Sequence, residues 1–538
     1  MPLLIKVDVM IGEYVNKNYE ASLPNPVVSA ADDAYYDNGV LEIQLKVSNN
    51  NSLASNMYSP SIKLIQINDN SVSCAEYEFG KNIGGGNSEV APFTTKNVVV
   101  DTDIVKVAYV LYYQDALSKP YESSGTVEIS IGHGENFIPF ENPFLGNVKG
   151  NAVKDKTMFY GRDEKINTIC KFVQEQNKGY VLWGQKRSGK SSVLYHITKQ
   201  LIDDGNAFAV YFSLGMNIIQ DSSSEKESLA NLYYTILSEI GRAIKLVNRD
   251  VYKEKVGILR RAELDQYPQQ TFQETLDQYR DVIHDDLHYK YDRIILVIDE
   301  FTYLYYFLIQ KQISPGIMLE WKRLIEADYF SFVFAGQDAM PRFMDEYKNI
   351  FGSMESEELT YIDESSARDL IEKPIWDENK NASRYNKEAV DRIVQLTACN
   401  PFYIQILCSE MVKYAHKRQR VPITVLDVNE LVKQILSDES TISRKDFDNL
   451  VSCGEANLDI ISADQSIAVL KAIAFNTRNS EYCDLEEVKV YQDEELMDKI
   501  VGELRRRRVI VSDPNYINQN RVKIVVELFK LWLLKHHE

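Results

Sequence analysis

The stretch Gly184-Gln185-Lys186-Arg187-Ser188-Gly189-Lys190-Ser191 sets two glycines, three cations and two hydroxyls between an apolar run and a segment of helical period. It fits the pattern GxxxxGK[ST] in the context that gives the pattern meaning, after a core strand and before a helix. Glycines let the backbone curl until successive N–H groups point at one spot, and the positive end of the following helix falls on that same spot. This is chemistry for a chain of phosphates. Lys190 is expected to reach the β- and γ-phosphates of a nucleotide and the Ser191 hydroxyl to bind Mg²⁺, with Ser192 in the same cradle.

A Gly-rich turn also joins strands to helices where no ligand binds, so a second motif is needed. Residues 294–298 are five apolar residues in a row, followed by Asp299 and Glu300. Asp299 is suited to hold Mg²⁺ beside Ser191, and Glu300 to orient and deprotonate an attacking water. Acidic residues also end strands simply as helix N-caps. Beside a phosphate loop, the metal and base roles are the better reading. A third apolar run ends in Gln337, which would sit next to the γ-phosphate as a sensor of it or of water if its strand lies between the other two; a solvent-facing polar cap is an equal reading of the same residue.

These residues need elements to hold them. Residues 1–138 alternate in the strand manner, with runs such as "GVLEIQLKVSN" and "IVKVAYVLYYQ" separated by Asn, Asp, Gly and Ser, which predicts an all-β sandwich for sensing or interaction. Residues 139–156, with little periodicity, read as a linker. Over 157–345 helix and strand alternate, which predicts an α/β core with a parallel sheet. Asp299 comes 109 positions after Lys190, an interval that implies a helical insertion near 224–289. Residues 346–455 read as an α-helical lid. Residues 456–538 read as a winged helix, with helices leading into a hairpin.

Composition bounds the rest. The chain has 538 residues, 44% hydrophobic and 26% charged, with a formal charge of -19. That balance argues against broad attachment to nucleic acid or anionic lipid. Residues 1–150 hold 18 acidic side chains against nine lysines and no arginine, which sets the front segment apart. No window reaches the roughly 18 apolar residues of a membrane span, and the first residues lack a leader pattern. A soluble, unprocessed, cytoplasmic protein without membrane partners is the expectation. The six cysteines form no CxxC pair or zinc spacing. The glycines of "KNIGGGNSE" precede no helix and are read as a loop between strands, and "TYLYYFLI" after Glu300 is read as packing against the sheet. "RRRR" at 505–508 ends a helix, where it complements the macrodipole. DNA is therefore the less favoured partner.

Taken in order, "NPFLGNVKGNAVKDKTMFYGRDEKI", the phosphate loop, "LVIDEF" and "LTACNPFYIQILC" resemble the STAND branch of the AAA+ superfamily and its origin-recognition relatives, over about residues 141–538. The resemblance implies ATP or ADP as ligand, with Gly161 and Arg162 near the adenine. It further implies a helical bundle closing over the nucleotide through Pro401, and a winged helix that stabilises a closed, ADP-bound monomer. The chain departs from the family at Cys399, where a glycine is usual, and shows no clear arginine finger: Arg323 and Arg342 lie in fitting regions but serve equally as surface ion pairs. The activity the resemblance implies is that of a signal-responsive ATPase switch, slow or stimulated by a trigger. Its nucleotide would control homo-oligomerisation or signalling to a protein partner, in anti-phage defence or a similar response. Two rivals stand beside it: an ATP-dependent DNA-binding loader or regulator, and a nucleotide-binding scaffold with little hydrolysis.

Overall fold

The structure, a computed structural model, describes residues 23–31, 34–37, 40–51, 55–68, 70–96, 98, 100, 104–131, 137–146, 150–175, 179–215, 218, 224–291, 293–437, 441–452, 461–516 and 520–536. The strands expected at 3–11 and over most of 97–103 lie outside the described residues.

The centre is a five-stranded parallel sheet built from β1 (Tyr180–Trp183), β2 (Phe208–Ser213), β3 (Ile294–Asp299), β4 (Phe330–Gly336) and β5 (Glu355–Glu358), in spatial order β2-β3-β4-β1-β5. Every residue of β3 and β4 is buried, as expected of strands covered on both faces. The period of two sorts their side chains. Phe330, Phe332 and Phe334 of β4 join Ile294, Leu296 and Ile298 of β3 on one face, beneath the helices Glu225–Val247, Pro268–Asp281, Thr302–Ile309 and Gly316–Glu326. Val333 and Ala335 join Ile295 and Val297 on the other, where smaller side chains admit α1 (Lys190–Asp204) and the helix Asp163–Glu175. The aromatic run after Glu300 packs as its composition suggested: Leu304, Tyr305 and Phe307 are buried in the first of these faces.

The expected insertion is helical, and its breaks have local causes. Asn248 caps the end of the helix Glu225–Val247, Gly257 takes φ +69°, and Pro268 opens the next helix at its first turn. One strand has no counterpart in the sequence pattern. β5 reads Glu-Ser-Glu-Glu, with no apolar signal, and is held by parallel backbone pairing to β1 and by Lys165 and Tyr180 on Glu357 and Arg508 on Glu358. An edge strand buries little, so its residues carry no period to read.

The amino-terminal segment forms two antiparallel sheets, one from 26–30, 35–37, 40–49 and 88–96 and the other from 56–67, 70–78, 83–84, 104–114 and 120–130. Their inner residues, among them Leu41, Ile43, Leu64 and Val107, share one core. The triple glycine turns the chain from 83–84 into 88–96, a connection between strands as expected. This unit meets the rest of the chain at Glu42, 7% exposed, which pairs with Arg418 at 3.0 Å and Arg420 at 2.7 Å.

Helices hold most of the described residues between 364 and 451, among them α2 (Pro401–Arg418). Beyond them a three-stranded antiparallel sheet (483–484, 510–512 and 521–524) is accompanied by the helices Ala463–Asn476, Glu527–Lys535 and α3 (Glu494–Arg506). Both units share one continuous apolar cluster with the α1 face of the sheet, from Val193 through Leu407 to Leu470 and Phe529.

Candidate functional site

The alternation that sorts the core also aims the carboxylates. Asp299 continues the series Ile295, Val297 and therefore falls on the α1 side of the sheet. β4 pairs with both β1 and β3, which meets the condition set for Gln337. The bend between β1 and α1 rests on two glycines for different reasons. A Cβ on Gly184 (φ +151°) would stand 2.6 Å from the Leu359 carbonyl oxygen, so close backbone approach demands glycine. Gly189 (φ +95°) is the N-cap of α1 and has open space around it, so there the left-handed backbone is the demand.

Around this bend lies a cavity of about 370 Å³. It brings together Lys186, Arg187, Ser188, Gly189, Lys190, Ser191 and Ser192 with Asp299, Glu300 and Gln337, and Arg162 and Pro401 also reach its wall. Gly184, Gln185 and Gly161 do not line it. Gly161 borders a neighbouring depression with Asp163, Lys165 and Glu357. Ser192 Oγ accepts from the Val153 N–H at 2.9 Å. Apolar walls that the sequence did not reveal, Phe159, Tyr160, Ile362, Leu370 and Phe402, continue the cavity away from the loop. They come from separate segments with no common spacing.

The polar groups fit a phosphorylated ligand. Ser188 Oγ and Gln337 Oε1 are buried and have no hydrogen-bond partner among the described residues, a penalty that a ligand or its water would relieve. Lys190 Nζ donates to the carbonyls of Gly184 at 2.8 Å and Gln185 at 2.7 Å. Those are contacts within the loop that a phosphate oxygen can replace.

The carboxylates are held from β2, a role that sequence reasoning missed. Tyr211 Oη donates to Asp299 Oδ2 at 3.3 Å and Ser213 Oγ to Glu300 Oε2 at 3.2 Å. The parallel register Ser213↔Asp299 brings them there, and nothing in the local sequence singles those two side chains out. Glu300 takes φ +54°, a strained setting for a residue with a side chain, and its N–H donates back to Asp299 Oδ1 at 2.8 Å. Burial, then the neighbouring Asp299 charge, raise the Glu300 carboxyl above its ordinary range, while Ser213, Lys186 and Lys190 oppose the shift. Burial and Asp299 likewise raise the Tyr211 hydroxyl, which stays protonated as a donor.

The loop is also tied to the carboxyl-terminal half. Gln185 accepts from Tyr361 Oη at 3.0 Å and donates to the Arg507 carbonyl. Arg187 donates to the Asp446 carbonyl and lies 4.2 Å from the Phe402 ring centroid. Arg507 pairs with Asp338 at 2.9 Å, with side-chain exposures of 1% and 5%. Arg506 reaches Glu503 and the Asp338 carbonyl, and Arg508 pairs with Glu358 at 2.6 Å. Of these three arginines only Arg507 is buried, while Arg506 and Arg508 are exposed and engaged from the surface; the Arg507–Asp338 pairing spans about 170 residues, and no local pattern announces it. Arg323 is engaged by Glu320 and Gln273, and Arg342 by Tyr305. Cys399 adopts φ +61° directly after Ala398 at +49°, a backbone shape that glycine would take freely. Asn400 caps α2 by accepting from the Phe402 N–H at 2.9 Å, and Pro401 is thereby set at the cavity wall.

No family model and no curated protein matches the chain. Among solved structures it is similar to the Aeropyrum pernix ORC1 protein in complex with DNA, at 13% identity over 74% of this chain and 96% of that one, with a TM-score of 0.33. It is also similar to the Thermotoga maritima RuvB Holliday junction branch migration motor, at 11% identity over 69% and 94% of the two chains, with a TM-score of 0.33. Drosophila ORC bound to DNA aligns at 12% identity over 69% and 94%, with a TM-score of 0.26.

Proposed function

We propose that the chain binds ATP with Mg²⁺ in this cavity and hydrolyses it slowly, as a switch whose carboxyl-terminal unit responds to the state of the nucleotide. One observation carries the reading: a glycine-shaped bend at the head of α1 shares a cavity with Asp299, Glu300 and Gln337, and two polar atoms there lack partners among the described residues. The bend and Lys190 hold the phosphates, and the apolar walls at Phe159 and Ile362 suit the base. Ser191 and Asp299 would hold Mg²⁺, which when bound neutralises charge shared between the terminal phosphates. Glu300 takes a proton from the attacking water, and Gln337 Oε1 accepts the other O–H.

The switch derives from the contacts of the loop. Gln185 and Arg187 are each bonded to segments beyond residue 445, so filling the cavity and seating the carboxyl-terminal unit are coupled, and the coupling acts in both directions. In this reading the amino-terminal sheets receive the trigger, opening frees copies to assemble or to engage a protein effector, and a defence role is one setting for such a device. A DNA-loading role draws less support, because Arg506, Arg507 and Arg508 are engaged by internal partners. No described helix is long and apolar enough to cross a membrane.

Titration calorimetry with MgATP, beside a phosphate-release assay, tests the reading. The native chain is expected to bind and turn over ATP, Lys190→Ala to lose binding, and Glu300→Gln to keep binding while losing turnover by ~10²–10⁴-fold. Undiminished binding by Lys190→Ala would overturn it.

A further inference from the structure

The cations of the cavity differ in what they are free to do. Arg162 donates to the Thr360 carbonyl, Arg187 is committed to Asp446 and the Phe402 ring, and Lys190 sits on two carbonyls of its own loop. Lys186 is exposed, lines the same cavity, and has no hydrogen bond or ion pair among the described residues. It lies on the bend, four residues before Lys190, and lines the cavity together with Glu300, whose charged form it favours.

We propose that Lys186 is a catalytic cation acting within its own chain, its ammonium donating to γ-phosphoryl oxygens of bound ATP as charge develops there. The proposal rests on the ATP reading above. A water oxygen forms a bond to the γ-phosphorus, and the bond from that phosphorus to the β–γ bridging oxygen breaks. Its electron pair leaves on ADP, and the proton of the water passes to Glu300. Lys186 stays protonated throughout and neutralises the equatorial oxygens, the service that an arginine from a second molecule gives in many phosphoryl-transfer sites. A lysine held on the loop itself removes the need for that second molecule. Turnover per chain should then be independent of protein concentration.

The test compares affinities for MgADP and for a non-hydrolysable Mg-triphosphate analogue in the native chain and in Lys186→Ala, Lys186→Arg and Lys190→Ala, together with kcat against protein concentration. Lys186→Ala is expected to bind ADP as the native chain does, to lose ~10- to 100-fold in triphosphate affinity, the weight of one charge-assisted hydrogen bond, and to lose ~10²–10³-fold in kcat. Lys186→Arg should recover part of both. An unchanged preference for triphosphate over diphosphate in Lys186→Ala, an equal loss of both, or a native kcat that rises with protein concentration would overturn the proposal. If Lys190→Ala still binds both nucleotides, the ATP reading itself has failed. If Lys190→Ala loses them and Lys186→Ala behaves as native, only the role of Lys186 has.

Discussion

Arg507, at the end of α3 in the carboxyl-terminal unit, forms a buried ion pair with Asp338, the residue after Gln337 at the tip of β4. Arg507 also donates to the carbonyls of Asn449 and Ser452. One guanidinium therefore joins the sheet edge at the cavity, the end of the helical segment and the carboxyl-terminal unit. Taking one partner from such a pair leaves the other charge buried and unpaired, at a cost of ~3–5 kcal/mol when the surroundings cannot relax.

Arg507→Ala is accordingly expected to lower the melting temperature and to speed release of a fluorescent ADP analogue. Asp338→Asn should do less than Arg507→Ala, and the double variant should fall short of the sum by ~1 kcal/mol or more, as coupled partners do. Strict additivity, read by denaturant titration, would show that the pair fastens nothing.

The Glu300 carboxyl has a raised pKa in the folded chain, so the folded state binds its proton more tightly than the unfolded state does. Glu300 is therefore neutral to stability below its ordinary value of 4.5 and costs stability as pH rises through the raised value. Glu300→Gln should melt higher than the native chain at pH 7, with the gain vanishing below about pH 4.5, and should hydrolyse ATP only at background rate. Ser213→Ala, which removes a donor that favours the charged form, should move the acid limb of turnover to higher pH. Melting curves and pH–rate profiles of the two variants read both effects.

Gly184 and Gly189 separate packing from backbone shape. Gly184→Ala drives a Cβ into the Leu359 carbonyl, a backbone atom that cannot swing aside, so overall stability should fall. Gly189→Ala meets open space and carries only the cost of a left-handed alanine, ~1–3 kcal/mol, at the point where phosphates seat. Its expected signature is weaker nucleotide binding with a smaller change in melting temperature. Calorimetric affinity set against melting temperature distinguishes the pair.

Glu42 joins the amino-terminal sheets to α2, whose other end stands at the cavity with Pro401. Glu42→Ala leaves Arg420 (13% exposed) with Asp427, Thr424 and the Tyr35 ring but takes the shared carboxylate from Arg418 and Arg420, so the hold on the sheets should loosen. Faster cleavage in limited proteolysis, with the thermal transition splitting in two, is expected. A single unshifted transition would mean that the pair is incidental.

The elements around the cavity were legible where local pattern dictates shape. The loop from Gly184 to Ser191 joins β1 to α1 as its glycine spacing between an apolar run and a helical period implied, and the run from Ile294 to Asp299 was plain because a strand buried on both faces must be apolar until it ends. β5 was not legible, since backbone pairing and ion pairs hold it and neither leaves a period. Ser213 on Glu300 and Arg507 on Asp338 were hidden for another reason. Each is a meeting of distant segments decided by register or docking, and a lone Ser or Arg gives no sign of its partner. The left-handed Ala398 and Cys399 show the converse: a backbone shape that glycine would have marked is adopted by residues that give no sign of it.

The most direct measurement is a structure of the chain determined with Mg²⁺ and a non-hydrolysable ATP analogue. The expected result is a triphosphate against the amides from Lys186 to Ser191, with Ser191 and Asp299 sharing one metal ion and Glu300 facing the γ-phosphate. A bend left empty at saturating analogue, or the nucleotide bound elsewhere, would contradict the assignment.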